Sequence, residues 1–294
     1  MENILTVKSL TKKFSKFTLG ELDFEIPKGF STALIGANGA GKTTLIDLLC
    51  GVIHKDAGEV TYFGTETDID SEVLRERIGY CAAQGFFPLG WRARDIAESM
   101  SAAYKKFDRE KFNSLCREME VEDEFAKKQR VMFRQSDGNR MRTALAAVFA
   151  RETELLVLDE PGSSLDPLMR DRLCDRMRGY LDEGNGEKSI IFSTHNIADM
   201  ENAADYVIFM DNGRITERGF VEELKDKYVI ARGDTKNYDK AQPLMLSHSV
   251  SRTVFEGLAL SENKDRLEEN GAVCERPTLQ QLSIGLLRYA EEKR

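Results

Sequence analysis

The nine residues from Gly36 to Thr44, GANGAGKTT, constrain this chain more than any other segment. They fit G-x-x-x-x-G-K-[ST], with Gly36, Gly41, Lys42 and Thr43 at the required places. Glycines let a backbone wrap a polyphosphate closely, so that loop N–H groups point at anionic oxygens. A helix starting at the same point adds its N-terminal dipole. The candidate phosphate-binding residues are therefore Gly36, Asn38, Gly39, Ala40, Gly41, Lys42, Thr43 and Thr44. Lys42 has the reach for the β- and γ-phosphates, and the Thr43 hydroxyl is placed to ligate Mg²⁺. The flanks suit such a loop. Ser31-Thr-Ala-Leu-Ile-Gly36 is short and apolar and reads as a buried strand, and Leu45-Ile-Asp-Leu-Leu-Cys50 reads as a helix. Nucleotide phosphate binding follows from this context; what the nucleotide is used for does not.

The rest of the chain narrows the class. Its 294 residues allow one large domain and a small one. A net charge of −8 argues against a nucleic-acid partner. No apolar run approaches the length of a membrane helix, about eighteen residues, and MENILTVKSL lacks the form of a signal peptide. Cys50, Cys81, Cys116, Cys174 and Cys274 are scattered, odd in number and without a C-x-x-C pair. They read as thiols in a reducing cytosol rather than a disulfide framework or a zinc site.

Residues 1–30 alternate apolar and polar with turn signals at Ser15-Lys16 and Pro27-Lys28-Gly29, which predicts antiparallel strands. Residues 58–64 read as another strand. Over residues 92–150 the period becomes helical, with Ile96, Met100, Tyr104, Phe112, Leu115, Cys116 and Met119 as apolar positions. Buried strands are expected at 155–158, 189–193 and 205–210, with helices between them, which predicts an α/β fold with a parallel sheet covered by helices. From residue 228 the pattern changes to short strands at 228–231, 253–255 and 271–274 and a closing helix over 278–289 capped by Thr278. The expected division is a nucleotide-binding domain over 1–227, with a helical subdomain at about 92–150, and a small α+β extension over 228–294.

Leu155-Leu-Val-Leu-Asp-Glu-Pro161 places two acids at the C-terminal end of an apolar strand, the edge where parallel sheets bind ligands. Asp159 is suited to the Mg²⁺ shell and Glu160 to polarising an attacking water. Over roughly residues 1–225 the chain now resembles the ATP-binding cassette ATPases, a P-loop NTPase fold with a mixed sheet, an antiparallel β subdomain and a helical subdomain. GANGAGKTT resembles the family's Walker A and LLVLDEP its Walker B. Ser163-Ser-Leu-Asp166 sits where the family has its D-loop, Ser193-Thr-His195 where it has the switch histidine, and Gln84 where it has the Q-loop glutamine that joins Thr43 and Asp159 at the metal. Phe14 falls where an aromatic stacks on adenine, with Phe17 as a nearby substitute. Lys42, Glu160 and His195 are the catalytic residues the resemblance implies. The separation of 117 positions between Lys42 and Asp159 leaves room for a helical subdomain but not for a long coiled coil. Phe86, Phe87, Pro88 and Trp91 fall in the zone that receives a transporter's coupling helix, and read equally as a partner surface or as core.

The signature segment departs from the family's LSGGQ. Gln135-Ser-Asp-Gly-Asn139 keeps Ser136 and Gly138 but puts Asp137 and Asn139 where glycine and glutamine belong. In the family this segment caps the ATP held by the opposite subunit. Asp137 facing inward would repel a γ-phosphate; facing outward it would cap its own helix, and the sequence leaves both open.

The resemblance implies an Mg²⁺·ATP-dependent subunit that pairs as a homodimer or heterodimer with a second cassette. It would drive a permease on a separate chain from the cytoplasmic face of a membrane. Arg276-Pro-Thr-Leu-Gln-Gln-Leu-Ser-Ile-Gly-Leu-Leu287 resembles the tail of bacterial exporters of the ABC-2 type, nearest the YtrB-like branch, which implies peptide, antibiotic or lipid cargo. Competing expectations are an ATP-dependent assembly or regulatory factor without a permease, and a nucleotide-binding scaffold degenerate at its signature.

Overall fold

The computed structural model describes residues 2–293 except 66, 68, 85, 196, 199 and 200. The chain begins with β1 (Asn3–Lys13), β2 (Thr18–Pro27), β3 (Ser31–Ile35), α1 (Lys42–Leu49), β4 (Ala57–Tyr62), α2 (Glu72–Arg77) and β5 (Ile78–Cys81). Three helices follow: α3 (Ala93–Ala103), α4 (Arg109–Glu118) and α5 (Asp137–Phe149). Next come β6 (Leu155–Leu158), α6 (Pro167–Glu183), β7 (Ser189–Thr194), β8 (Tyr206–Asp211), β9 (Arg214–Phe220) and α7 (Val221–Lys227). The chain ends with β10 (Tyr228–Asp234), α8 (Tyr238–Ala241), β11 (Ser247–Val250), β12 (Val254–Leu260), α9 (Lys264–Glu269), β13 (Ala272–Glu275) and α10 (Leu279–Glu292).

Among the described residues these strands form three sheets. The central one has the order β5-β6-β7-β3-β8-β9 and is parallel except for β9, which returns antiparallel to β8. Its inner strands are buried along their length and mainly apolar because both faces are covered. Alternate residues serve different cores, as the two-residue period of a strand requires. Ala33, Ile35, Leu156 and Leu158 face a core shared with α3–α7 and α10. Leu34, Leu155 and Val157 face a second core, where α1 and the antiparallel sheet β2-β1-β4 pack.

The third sheet, β11-β12-β10-β13, is antiparallel. On one face it builds its own small core from Val229, Ala231, Ala241, Phe255, Ala259, Leu267 and Ala272. On the other, Ile230 and Leu258 meet Leu279, Leu282 and Leu286 of α10 within the main core. Thr278 starts α10 through a capping box with Gln281, as its position after Pro277 predicts. The helix lies so close to β12 that a Cβ at Gly285 would sit 2.7 Å from the Leu258 side chain. The Ser247 hydroxyl donates to the Gly285 carbonyl at 2.7 Å.

Three strands escape a reading by pattern. β5 is four residues with a glycine among them, β9 alternates without a strongly apolar side, and β11 is a polar edge strand, Ser-His-Ser-Val. Their places are fixed by their neighbours, because edge pairing needs backbone groups rather than apolar side chains.

Leu282 is fully buried where α10 joins the C-terminal sheet to the main core. Leu282→Ala should destabilise the protein by about 2–5 kcal/mol, read as a lowered urea midpoint for unfolding.

Candidate active site

Strand order places the site. β3, β6 and β7 lie side by side, so the loop after β3 and the first residues beyond β6 and β7 meet at the carboxyl edge of the sheet. The loop into α1 uses its glycines where they are needed. Gly39 and Gly41 have φ of +82° and +104°. A Cβ at Gly36 would lie 2.5 Å from the Met210 carbonyl oxygen, and one at Gly41 would meet Leu19 and Phe17 at 3.0 Å.

Lys42, the first residue of α1, is 6% exposed. Its ammonium donates to the carbonyls of Gly36 (2.8 Å) and Ala37 (3.3 Å) and stands 3.6 Å from Glu160 Oε1. Thr43 Oγ1 donates to Asp159 Oδ2 at 3.0 Å. Asp159 is buried, and its backbone N–H donates to the Cys81 carbonyl, extending the β5–β6 ladder by one residue. Ser193 Oγ donates to Asp159 Oδ1 at 2.5 Å and accepts the Glu160 N–H at 2.8 Å. Glu160 has φ of +48°, the left-handed region that a side chain disfavours. Its Oε2 lies 2.6 Å from His195 Nδ1. Lys42, Thr43, Asp159, Glu160 and His195, far apart in the chain, thus form one connected cluster. The paired oxygens of Thr43 and Asp159 are hard donors of the kind Mg²⁺ takes.

Behind the loop, the Tyr80 hydroxyl donates to Asp47 on α1 at 3.0 Å. Burial raises the Asp47 pKa; the Tyr80 hydrogen bond opposes this and the nearby Asp159 charge adds to it. Burial also pushes the Cys81 thiol up to about 12, with Asp159 contributing. No disulfide joins any of the five cysteines.

The sequence profile of the ABC transporter family matches residues 19–163. The ATP-binding protein EcfA1 of the energy-coupling factor transporter of Staphylococcus aureus is 31% identical over 251 residues, covering 83% of this chain and 91% of that protein. The bacitracin transport ATP-binding protein BcrA of Enterococcus faecalis is 29% identical over 230 residues, covering 76% of this chain and 71% of that protein. The solved structure of cbiO1 from Clostridium perfringens, part of the ABC transporter complex cbiONQ, superposes with a TM-score of 0.60 at 26% identity. It covers 76% of this chain and 91% of that one. The chain belongs to the ATP-binding proteins of ABC transporters. It is an ATP-binding ATPase cassette with the α/β P-loop fold of that family.

Other features of the cassette lie outside the cluster. Phe14 is 46% exposed, with its ring 6.3 Å from that of Phe17. Both border a wide groove with Lys13, Thr18, Asn212 and Arg214, and Phe17 is the ring that approaches Gly41. Gln84 is exposed and lines a separate groove of about 360 Å³ with Phe86, Phe87, Leu89, Asp137 and Ser163, while Thr43 and Asp159 bond each other. Asp166 caps α6 through the Met169 N–H at 3.1 Å, with Pro167 at the first helical position.

The signature segment resolves the open question about Asp137 in a third way. Ser136 caps α5 by accepting the Asn139 N–H at 3.2 Å. Asp137 pairs with Arg140, three residues on, and Asn139 Oδ1 accepts from Arg142. Of the two readings left open for the aromatic zone, the structure favours core packing. Phe86, Phe87 and Trp91 are half-buried against the main core. The exposed apolar residues in this zone are Leu89 and Phe133, joined by the Phe133 N–H to the Leu89 carbonyl at 2.8 Å. Sequence inspection passes over that pair because the two residues lie on different segments. It names Ser193 only as the start of Ser193-Thr-His195 and gives its side chain no role, although a hydroxyl closing an apolar strand is a signal.

Gly41→Ala forces a side chain into a left-handed backbone, at about 1–2 kcal/mol, and presses it on Phe17 and Leu19. ATP affinity should fall about tenfold or more, measured by calorimetric titration.

Proposed function

We propose that this chain is the ATP-hydrolysing motor of a membrane exporter, acting as a dimer on a separate permease. The observation that carries the reading is the cluster of Lys42, Thr43, Asp159, Glu160 and His195 at one sheet edge. Phosphoryl transfer needs little covalent chemistry from a protein, and catalysis there is mainly positioning and electrostatics. In this reading the loop N–H groups and Lys42 hold the β- and γ-phosphates. Thr43, Asp159 and Gln84 would hold Mg²⁺, which supplies neutralising charge to the phosphates when bound. Glu160 orients the attacking water, and His195 reads the γ-phosphate. Phe14 offers its exposed ring to adenine, with Phe17 beside it.

Ser136, Asp137, Gly138 and Asn139 at the start of α5 would close over nucleotide held by a second cassette, with Asp166 at the same junction. ATP would favour the closed pair and hydrolysis would reopen it, a ligand-driven population shift. Among the described residues no helix is long and apolar enough to cross a membrane. The reading assigns the permease to another chain, with the motor held on the cytoplasmic face. The groove with exposed Leu89 and Phe133 at its side suits a permease helix, which favours transport over a permease-free assembly role. Residues 228–294 are read as an extension of the cassette at 1–227.

Peptide, antibiotic or lipid export is supported by the likeness to the bacitracin transport protein and by the tail from Arg276 to Leu287. A second reading, nutrient uptake of the energy-coupling type, is supported by the likeness to EcfA1. Inside-out vesicles carrying the motor and its permease separate the two. ATP-driven accumulation of cargo inside them supports export, and ATP-driven loss of preloaded cargo supports uptake.

Glu160→Gln should bind ATP, lose at least about 100-fold in hydrolysis, and double in mass by light scattering when Mg²⁺·ATP is added. A variant that binds ATP and stays monomeric at all nucleotide concentrations overturns the homodimer.

A further inference from the structure

Ser193 ends the apolar part of β7 and its side chain is fully buried. The parallel register pairs Leu158 with Phe192, so the next residues on the two strands, Asp159 and Ser193, come level at the sheet edge. A hydroxyl carries one donor and two acceptor positions, and this one uses both functions. It donates to Asp159 Oδ1 at 2.5 Å and accepts the N–H of Glu160 at 2.8 Å. A single atom thereby spans two consecutive residues with different tasks in the proposed reaction.

Each partner needs the contact. The Asp159 carboxylate is 1% exposed, and its other oxygen is taken by Thr43. A buried carboxylate without hydrogen bonds is costly. Glu160 sits at φ +48°, where a Cβ crowds the following carbonyl. Such a conformation persists when its surroundings over-determine it, and the bond from its N–H to Ser193 supplies that constraint. The left-handed turn carries the Glu160 carboxylate to its place between Lys42 Nζ, at 3.6 Å, and His195 Nδ1, at 2.6 Å.

We propose that Ser193 is a positioning residue for ATP hydrolysis: its hydroxyl locks the Asp159 carboxylate and the strained backbone of Glu160 into one register. This rests on the reading of Glu160 as the group that orients water. The hydroxyl acts through those two residues, setting the distance and angle between the Asp159 and Glu160 carboxylates. Alanine or valine at this place would leave an oxygen of Asp159 and the Glu160 N–H without the partner they share. Threonine would keep it.

Ser193→Ala, Ser193→Val and Ser193→Thr test the proposal, with the Val and Thr variants matched in shape. Four quantities are measured for each: kcat and KM for ATP, ATP affinity in EDTA, and the melting temperature. Ala and Val should lower kcat by about 10- to 100-fold, the penalty for a misplaced catalytic group. KM and metal-free affinity should stay within about twofold, and Thr should recover most of kcat. The proposal is overturned by a folded Ala variant with wild-type kcat, or by Val and Thr variants of equal kcat. It is also overturned if kcat, metal-free affinity and melting temperature all fall together, the mark of a purely structural role. Glu160→Gln in the same assay separates the underlying reading. Retained hydrolysis there removes the role of Glu160 itself, whereas inactive Glu160→Gln beside fully active Ser193→Ala removes only that of Ser193.

Discussion

The buried carboxylate of Asp159 is the constraint on which the site depends. A charged group with 1% exposure needs hydrogen bonds from its surroundings. Thr43, on α1 just beyond β3, and Ser193, on β7, supply one to each oxygen, and β3 and β7 lie on the same side of β6 in the sheet order. That demand ties the phosphate loop after β3 to the ends of β6 and β7. The strands leading there are buried along their length, and with both faces covered by separate cores the sheet is rigid enough to hold three segments in fixed register. Lys42, Glu160 and His195 then gather around a point whose position is already set.

Much of this was legible because local chemistry announced it. The glycines from Gly36 to Gly41 mark a loop built for close approach of backbone to a ligand, and the structure adds a second reason for two of them, crowding by Met210 at Gly36 and by Leu19 and Phe17 at Gly41. Leu155 to Leu158 could be read as a central strand ending in acids without knowing any neighbour. The hidden parts depend on register. Ser193 meets Asp159 because β6 and β7 pair in one alignment, and a shift of one residue would turn the hydroxyl to the other face. Leu89 and Phe133 become one exposed patch through a backbone contact between separate segments. Phe14 and Phe17 cannot be ranked by pattern, since what separates them is the distance of each ring from Gly41.

The C-terminal segment illustrates the same division at the level of the fold. Its strands were legible in part, and the capped helix from Thr278 clearly so. Its attachment was not. One face of the β10–β13 sheet closes on its own small core, and the other lends Ile230 and Leu258 to the main core through α10. A helix that packs with Gly285 against β12 leaves little room for adjustment between the two. Stability of the extension and of the cassette is therefore linked by direct packing, and a substitution in α10 is felt by both.

The altered signature is best understood as charge redistribution within one helical turn. A lone carboxylate at the start of a helix suits the helix itself, but at a surface meant to meet a phosphate it would oppose the same field that attracts the anion. Pairing Asp137 with Arg140 changes that balance. The pair adds no net charge, and capping falls to Ser136, whose hydroxyl accepts from Asn139 N–H. The backbone N–H groups of the first turn keep their direction, since α5 begins with a properly capped residue. Arg140 sits on the same turn and lines the groove beside Gln84 and Phe87. Replacing the signature glycine with aspartate thus does not leave an uncompensated negative charge at the head of α5, because the compensating residue is built into the same helix.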